Sequence, residues 1–219
     1  MAMTEGLTQA ERERLSSYLT AAHDQVLVVV RGFSDQQLDF KSGADRWSIS
    51  ENVEHMTIVH NLVLNYILQV IASPTTSKQS AWIGREEEML GHIRDRSNPL
   101  KVPEIGAPKN QWPHNELLRR LEETRNRLVE FVVSTDASLR NFCFPHPIFG
   151  EKDCYQWLLG IGAHCERHLA QIREVTSSVD FPKAAAQVSA SSILSAEESN
   201  HEYFHVRSNS STNKHMRQL

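Results

Sequence analysis

Apolar residues recur along this chain at the three- and four-residue spacing of helices, not at the alternate spacing of strands. The first stripe is Leu15, Leu19, Ala22, Val26 and Val29, opened by a capping box at Thr8 and Glu11 and closed near Gly32. A second box, Ser48 with Glu51, opens a stripe of Ile49, Val53, Met56, Val63, Ile67 and Ile71, which Pro74 stops. The third stripe follows Pro113 and runs Leu117, Leu121, Leu128, then Phe131 or Val132; its polar face, RRLEETRNR, carries paired opposite charges. The fourth begins near Asp153, with Gln156 three residues on, and carries Trp157, Ile161, Ile172 and Val175. Strand signals are nearly absent: residues 26–30 are mostly β-branched, but they continue a helical period. Between the second and third helices the pattern predicts a short helix over 83–94, then a crossing with Pro99, Pro103, Pro108 and Pro113. Long connections of this kind join some four-helix bundles. The predicted fold is all-α: a four-helix bundle with one long crossover connection.

Composition divides the chain in two. Residues 176–219 contain 10 serines and no glycine, and their apolar content falls below the globular range that the rest of the chain meets. The expected organisation is a helical domain over 1–178 and a Ser-rich, disordered C-terminal tail over 179–219. Three cysteines exclude a disulfide scaffold and suit a reducing compartment. The longest nearly apolar run, 62–72, is too short to cross a bilayer and contains Asn65 and Gln69. The N-terminal segment has no apolar signal core, so a cytoplasmic protein without a membrane partner is expected. A net charge of −4 without a basic block argues against nucleic acid as a partner.

What the composition adds to the helices is histidine, 11 in all. On the fourth helix His164 and His168 fall into the apolar stripe one turn apart, with Gln171 beside them. Histidines at i and i+4 project from one face and can share a metal; two unpaired imidazoles would be costly to bury otherwise. The run His164-Cys165-Glu166-Arg167-His168 is not HExxH: Glu166 lies about 200° round the helix from His164 and points away as a surface charge. A third ligand must come from another helix, and the second offers His55 and His60. Periodicity leaves both open, with His60 nearer the centre of its stripe. Cys165 reads as a small buried residue, His146 as a loop-fixing residue, and His23, His92 and His114 as isolated.

The sequence resembles the DinB-like, or YfiT-like, superfamily of metal-dependent four-helix proteins. The matching pieces are RWSISENVEHM (46–56), DRSNPLKVPE (95–104), NQWPHNELL (110–118) and HPIFGEKDCYQWLLGIGAHCERHLAQI (146–172). With LTQAERERLSSYL at the start, the likeness covers residues 7–176. Its signature is a histidine eight residues after the Trp of a W-S pair, followed by HxxRH in the last helix. The resemblance implies one divalent metal on His55, His164 and His168, preferring His55 to His60. It also implies activities of two kinds, thiol-dependent S-transfer and metal-dependent hydrolysis.

Three imidazoles leave a metal its charge and an open position, the pattern of catalytic rather than structural sites. The donor set suits Zn, Ni or Fe. Asn52, one turn before His55, and Gln171, beside His168, are the polar groups expected to steady a ligand ring or touch a small-molecule substrate. No inward acid stands near His164, which favours transfer of a low-molecular-weight thiol over hydrolysis. Hydrolysis is the alternative. A further alternative is a non-catalytic protein, either a metal or ligand binder or a homodimeric scaffold.

Overall fold

The computed structural model describes residues 6–73, 80–97 and 102–183. Four long helices carry the fold: α1 (Gln9–Val30), α3 (Ile49–Ile71), α5 (His114–Ser134) and α6 (Cys154–Thr176). Two shorter ones, α2 (Asp35–Asp39) and α4 (Glu86–Arg94), lie in the connections. The capping boxes at Thr8, Ser48 and Asp153 all form, each side chain accepting from the backbone three residues on. Helix α2 opens on a fourth box, Ser34 with Gln37, a signal that was present in the sequence before a helix of only five residues.

Helices α1 and α3 each pack between α5 and α6, so chain neighbours α1 and α3 sit on a diagonal. Side-chain pairs set the directions. Arg12 at the start of α1 donates to the carbonyls of Val133 and Thr135 at the end of α5, both at 3.0 Å, so these helices are antiparallel. Glu54 of α3 accepts from the backbone of Asn110 (2.8 Å), just ahead of α5, and Asn61 donates to Thr124 (2.6 Å), so α3 and α5 run parallel. Parallel neighbours cannot be joined by a tight turn: the chain must first travel back along the roughly 30 Å length of a bundle helix. That requirement explains the long crossover. Its helix α4 packs on α6, and its 3-10 turn at Glu104–Gly106 returns to α3.

A two-stranded hairpin, β1 (Cys143–His146) and β2 (Gly150–Asp153), leads into α6. Strands of four residues are too short for alternation to register, and β1 contains Pro145. Tertiary contact holds them: Phe144 stacks on Trp157 with centroids 4.5 Å apart. The His146 ring accepts from the N–H groups of Ile148 (3.1 Å) and Phe149 (3.3 Å) across the turn, as its loop-fixing reading requires. At this end Arg140 joins Glu11, Glu86 and Asp153 at 2.9, 2.8 and 3.3 Å, tying α1, α4 and the start of α6 together.

The core forms two apolar clusters. One is built around Leu15, Leu19, Leu64, Leu128 and Leu158; the other around Val26, Val53, Met56, Leu121 and Leu169. Between them, on all four helices, lies a layer of polar side chains: His23, His60, Thr124 and His164. Past α6, Phe181 packs edge-on against Phe33 and Phe40, and the Pro182 carbonyl accepts from Gln37. The Ser-rich stretch beyond residue 183 lies outside the described residues. No helix among them is long and apolar enough to cross a membrane.

Candidate metal centre

His55 stands in the second turn of α3, and His164 and His168 share a face of α6, which runs antiparallel to α3. The Nε2 atoms of His55 and His164 are 3.2 Å apart, and those of His168 and His164 are 3.1 Å apart. Each ring is held from its other nitrogen. His55 Nδ1 donates to the Gly106 carbonyl at 2.6 Å. His168 Nδ1 donates to Asn52 Oδ1 at 2.9 Å, and Asn52 is oriented because its amide donates to the Ser48 carbonyl at 2.7 Å. His164 Nδ1 lies 3.0 Å from His60 Nε2.

A carbonyl oxygen can only accept, so His55 and His168 carry their single proton on Nδ1 and present a bare Nε2. Bare lone pairs turned on one another at about 3 Å repel. A cation between them removes the repulsion, and tetrahedral ligation with metal–nitrogen bonds of 2.0–2.1 Å would set nitrogens about 3.3 Å apart. The three rings fit a single divalent ion. Burial lowers the His55 pKa and holds those of His164 and His168 well below the usual imidazole value, so all three are neutral, as ligands must be. Trp47 covers the cluster, with its ring centroid 4.7 Å from His55 and 6.0 Å from His168. Gly106 is placed so close that a Cβ there would meet Val59 Cγ2 at 3.1 Å, so the carbonyl that holds His55 comes from a residue with little room for a side chain.

His60 is not among the three converging rings. It lies behind His164, and His23 lies behind His60, with His23 Nε2 3.2 Å from His60 Nδ1. His23, read from the sequence as isolated, is in the bundle core. Its place one turn after Leu19, inside the first apolar stripe, was the available signal. Cys165 faces these two rings, and His23, His60 and Cys165 form a second group close enough to share an ion. Gln171 does not steady either ring: its amide oxygen accepts from Arg96 at 3.0 Å, because it stands about 60° round the helix from His168. Arg167 donates to the carbonyls of Ile93 and Asp95. Nearby carboxylates are engaged elsewhere: Glu54 with Asn110 and Gln111, and Glu166 with Tyr18 and Arg94.

Three comparisons bear on this arrangement. The Bacillus subtilis protein YuaE is 28% identical over 152 residues, covering 69% of this chain and 90% of YuaE. Among solved structures, YfiT from Bacillus subtilis, described as a probable metal-dependent hydrolase with an unusual four-helix bundle topology, aligns with a TM-score of 0.54. That alignment has 16% identity and covers 81% of this chain and 93% of YfiT, a likeness of fold. A family model described as the DinB superfamily matches residues 18–172, and the chain belongs to that superfamily.

Proposed function

We propose that this chain holds one divalent metal (Zn, Ni or Fe) on His55, His164 and His168 and uses it to transfer a small thiol to an electrophilic acceptor. The observation that carries the reading is the convergence of three Nε2 atoms in a group that, among the described residues, includes no carboxylate. A metal held by the three rings would supply a positive charge that favours thiolate over thiol. Transfer of this kind needs no separate general base, whereas hydrolysis by an activated water usually gains from one. Asn52 and Gly106 hold two of the rings, and Trp47 shields them from water. Three free cysteines, two of them buried, suit the reducing cytoplasm in which low-molecular-weight thiols are abundant. Hydrolysis is the second reading, favoured by the description of YfiT.

The test is metal analysis of the full chain and of two variants, followed by a thiol assay. About one metal per chain, lost in His55→Ala and in His164→Ala, supports the site. With the metal-loaded chain, disappearance of thiol in the presence of an electrophile, above the metal-free background, supports transfer. Ester or amide cleavage without thiol loss would move the assignment to hydrolysis. No bound metal would remove both.

A further inference from the structure

The polar layer across the bundle has a direction. It runs from the Leu19 carbonyl of α1 through His23 and His60 to His164, with steps of 2.7, 3.2 and 3.0 Å. Leu19 offers only a carbonyl, so His23 must donate from Nδ1. His23 and His60 are fully buried, and burial without a paired charge leaves an imidazole neutral, so each ring along the path carries one proton. With its proton on Nδ1, His23 can only accept at Nε2, and His60 must donate from Nδ1. His60 Nε2 is then bare and accepts from His164 Nδ1. The last ring is left with a bare Nε2 pointing at His55 and His168. One backbone carbonyl thus fixes three tautomers in sequence.

The same protons govern the second ligand group. A metal on His23, His60 and Cys165 would need the lone pair of His60 Nδ1. The His60 proton would move to Nε2 and donate to His164 Nδ1, and the His164 proton would move to Nε2. The two groups therefore cannot both bind through neutral rings. In the metal-free chain the Leu19 carbonyl, acting through His23 Nε2, holds His60 in the state that serves the first group.

We infer that His60 and His23 are positioning residues: a one-way hydrogen-bond wire that presents His164 Nε2 as a lone pair, so that metal held through His164 excludes metal on the neighbouring His23, His60 and Cys165 group. The inference rests on the metal reading of the His55, His164 and His168 cluster and extends it to a ring that periodicity had offered as a rival ligand. It gives His60 a role without making it a ligand.

The experiment has two arms on the full chain, with zinc as the probe. In the metal-free protein, nitrogen NMR of labelled histidine should find the proton on Nδ1 and none on Nε2 in His23, His60 and His164. In zinc titrations against a chelator, the parent should bind one equivalent. His60→Leu should bind about 10- to 100-fold more weakly, and His60→Gln, whose amide oxygen can accept from His164, should recover most of the loss. A proton on His164 Nε2 in the metal-free protein overturns the wire. So does undiminished zinc affinity in a folded His60→Leu, and two equivalents of zinc in the parent overturn the exclusion of the second group. If the tautomers stand but the parent binds no zinc, the metal reading fails and the wire survives. Should His60→Leu not fold, the tautomers and His60→Gln still decide.

Discussion

Lys152 is the side chain least at home in this core. It is 1% exposed, its ammonium 4.0 Å from the centre of the Trp157 ring and packed over Gly160. Burial pushes its pKa down from 10.5 to about 7, with the charge of Asp153 pulling the other way. Between those two values the unfolded chain holds a proton that the folded chain has lost, so this group makes stability rise with pH across that window. Lys152→Met should abolish that rise and stabilise the fold by about 1–3 kcal/mol near pH 6, measured by urea unfolding near pH 6 and pH 9. A variant no more stable than the parent near pH 6 would mean the ammonium is well satisfied where it lies. Asn52 poses the opposite question, because its carbonyl oxygen is the acceptor that orients His168. Asn52→Leu should lower zinc affinity about 10- to 100-fold, while Asn52→Asp, which keeps an acceptor, should not. Competition with a chelator reads both.

At the scale of elements, contact between α1 and α6 depends on a missing side chain. A Cβ on Gly162 would lie 2.5 Å from Tyr18 Cε1, and the Tyr18 hydroxyl is itself committed, donating to Glu166 at 2.8 Å and accepting from Arg94 at 2.9 Å. The ring cannot swing aside without breaking both bonds. Gly162→Ala should therefore cost about 1–3 kcal/mol, even though alanine is the better helix former by about 1 kcal/mol. Thermal or urea unfolding measures it, and a gain in stability would show that the two helices can separate freely. Capping boxes made the starts of α1, α3 and α6 legible at this scale, and Pro113 that of α5. The hairpin was not legible, because four-residue strands held by the packing of Phe144 on Trp157 leave no periodic trace.

For the whole molecule, the proposed metal joins antiparallel α3 and α6 beside the second of the two apolar clusters. An ion bound only by the folded chain stabilises it by mass action, by about 2.7 kcal/mol at a free concentration 100 times its dissociation constant. Zinc should raise the unfolding midpoint of the parent and leave that of His164→Ala unchanged, with a chelator reversing the effect. An equal rise in both would place the binding elsewhere.

Periodicity and capping chemistry, which act within about a turn of each residue, were enough to determine the helices, their apolar faces and the placing of His164 and His168 on one of them. The long crossover was readable as well, from its prolines and its length. Which histidine of α3 meets that pair was not decided by periodicity, since His55 at the edge of its stripe and His60 at its centre are both inward on an isolated helix. The choice depends on the antiparallel crossing with α6 and on the returning turn at Gly106, whose carbonyl holds the His55 ring. The link from His23 through His60 to His164 joins residues far apart in sequence on three different helices. Its direction comes from proton counts along a buried path, and only the folded chain brings that path together.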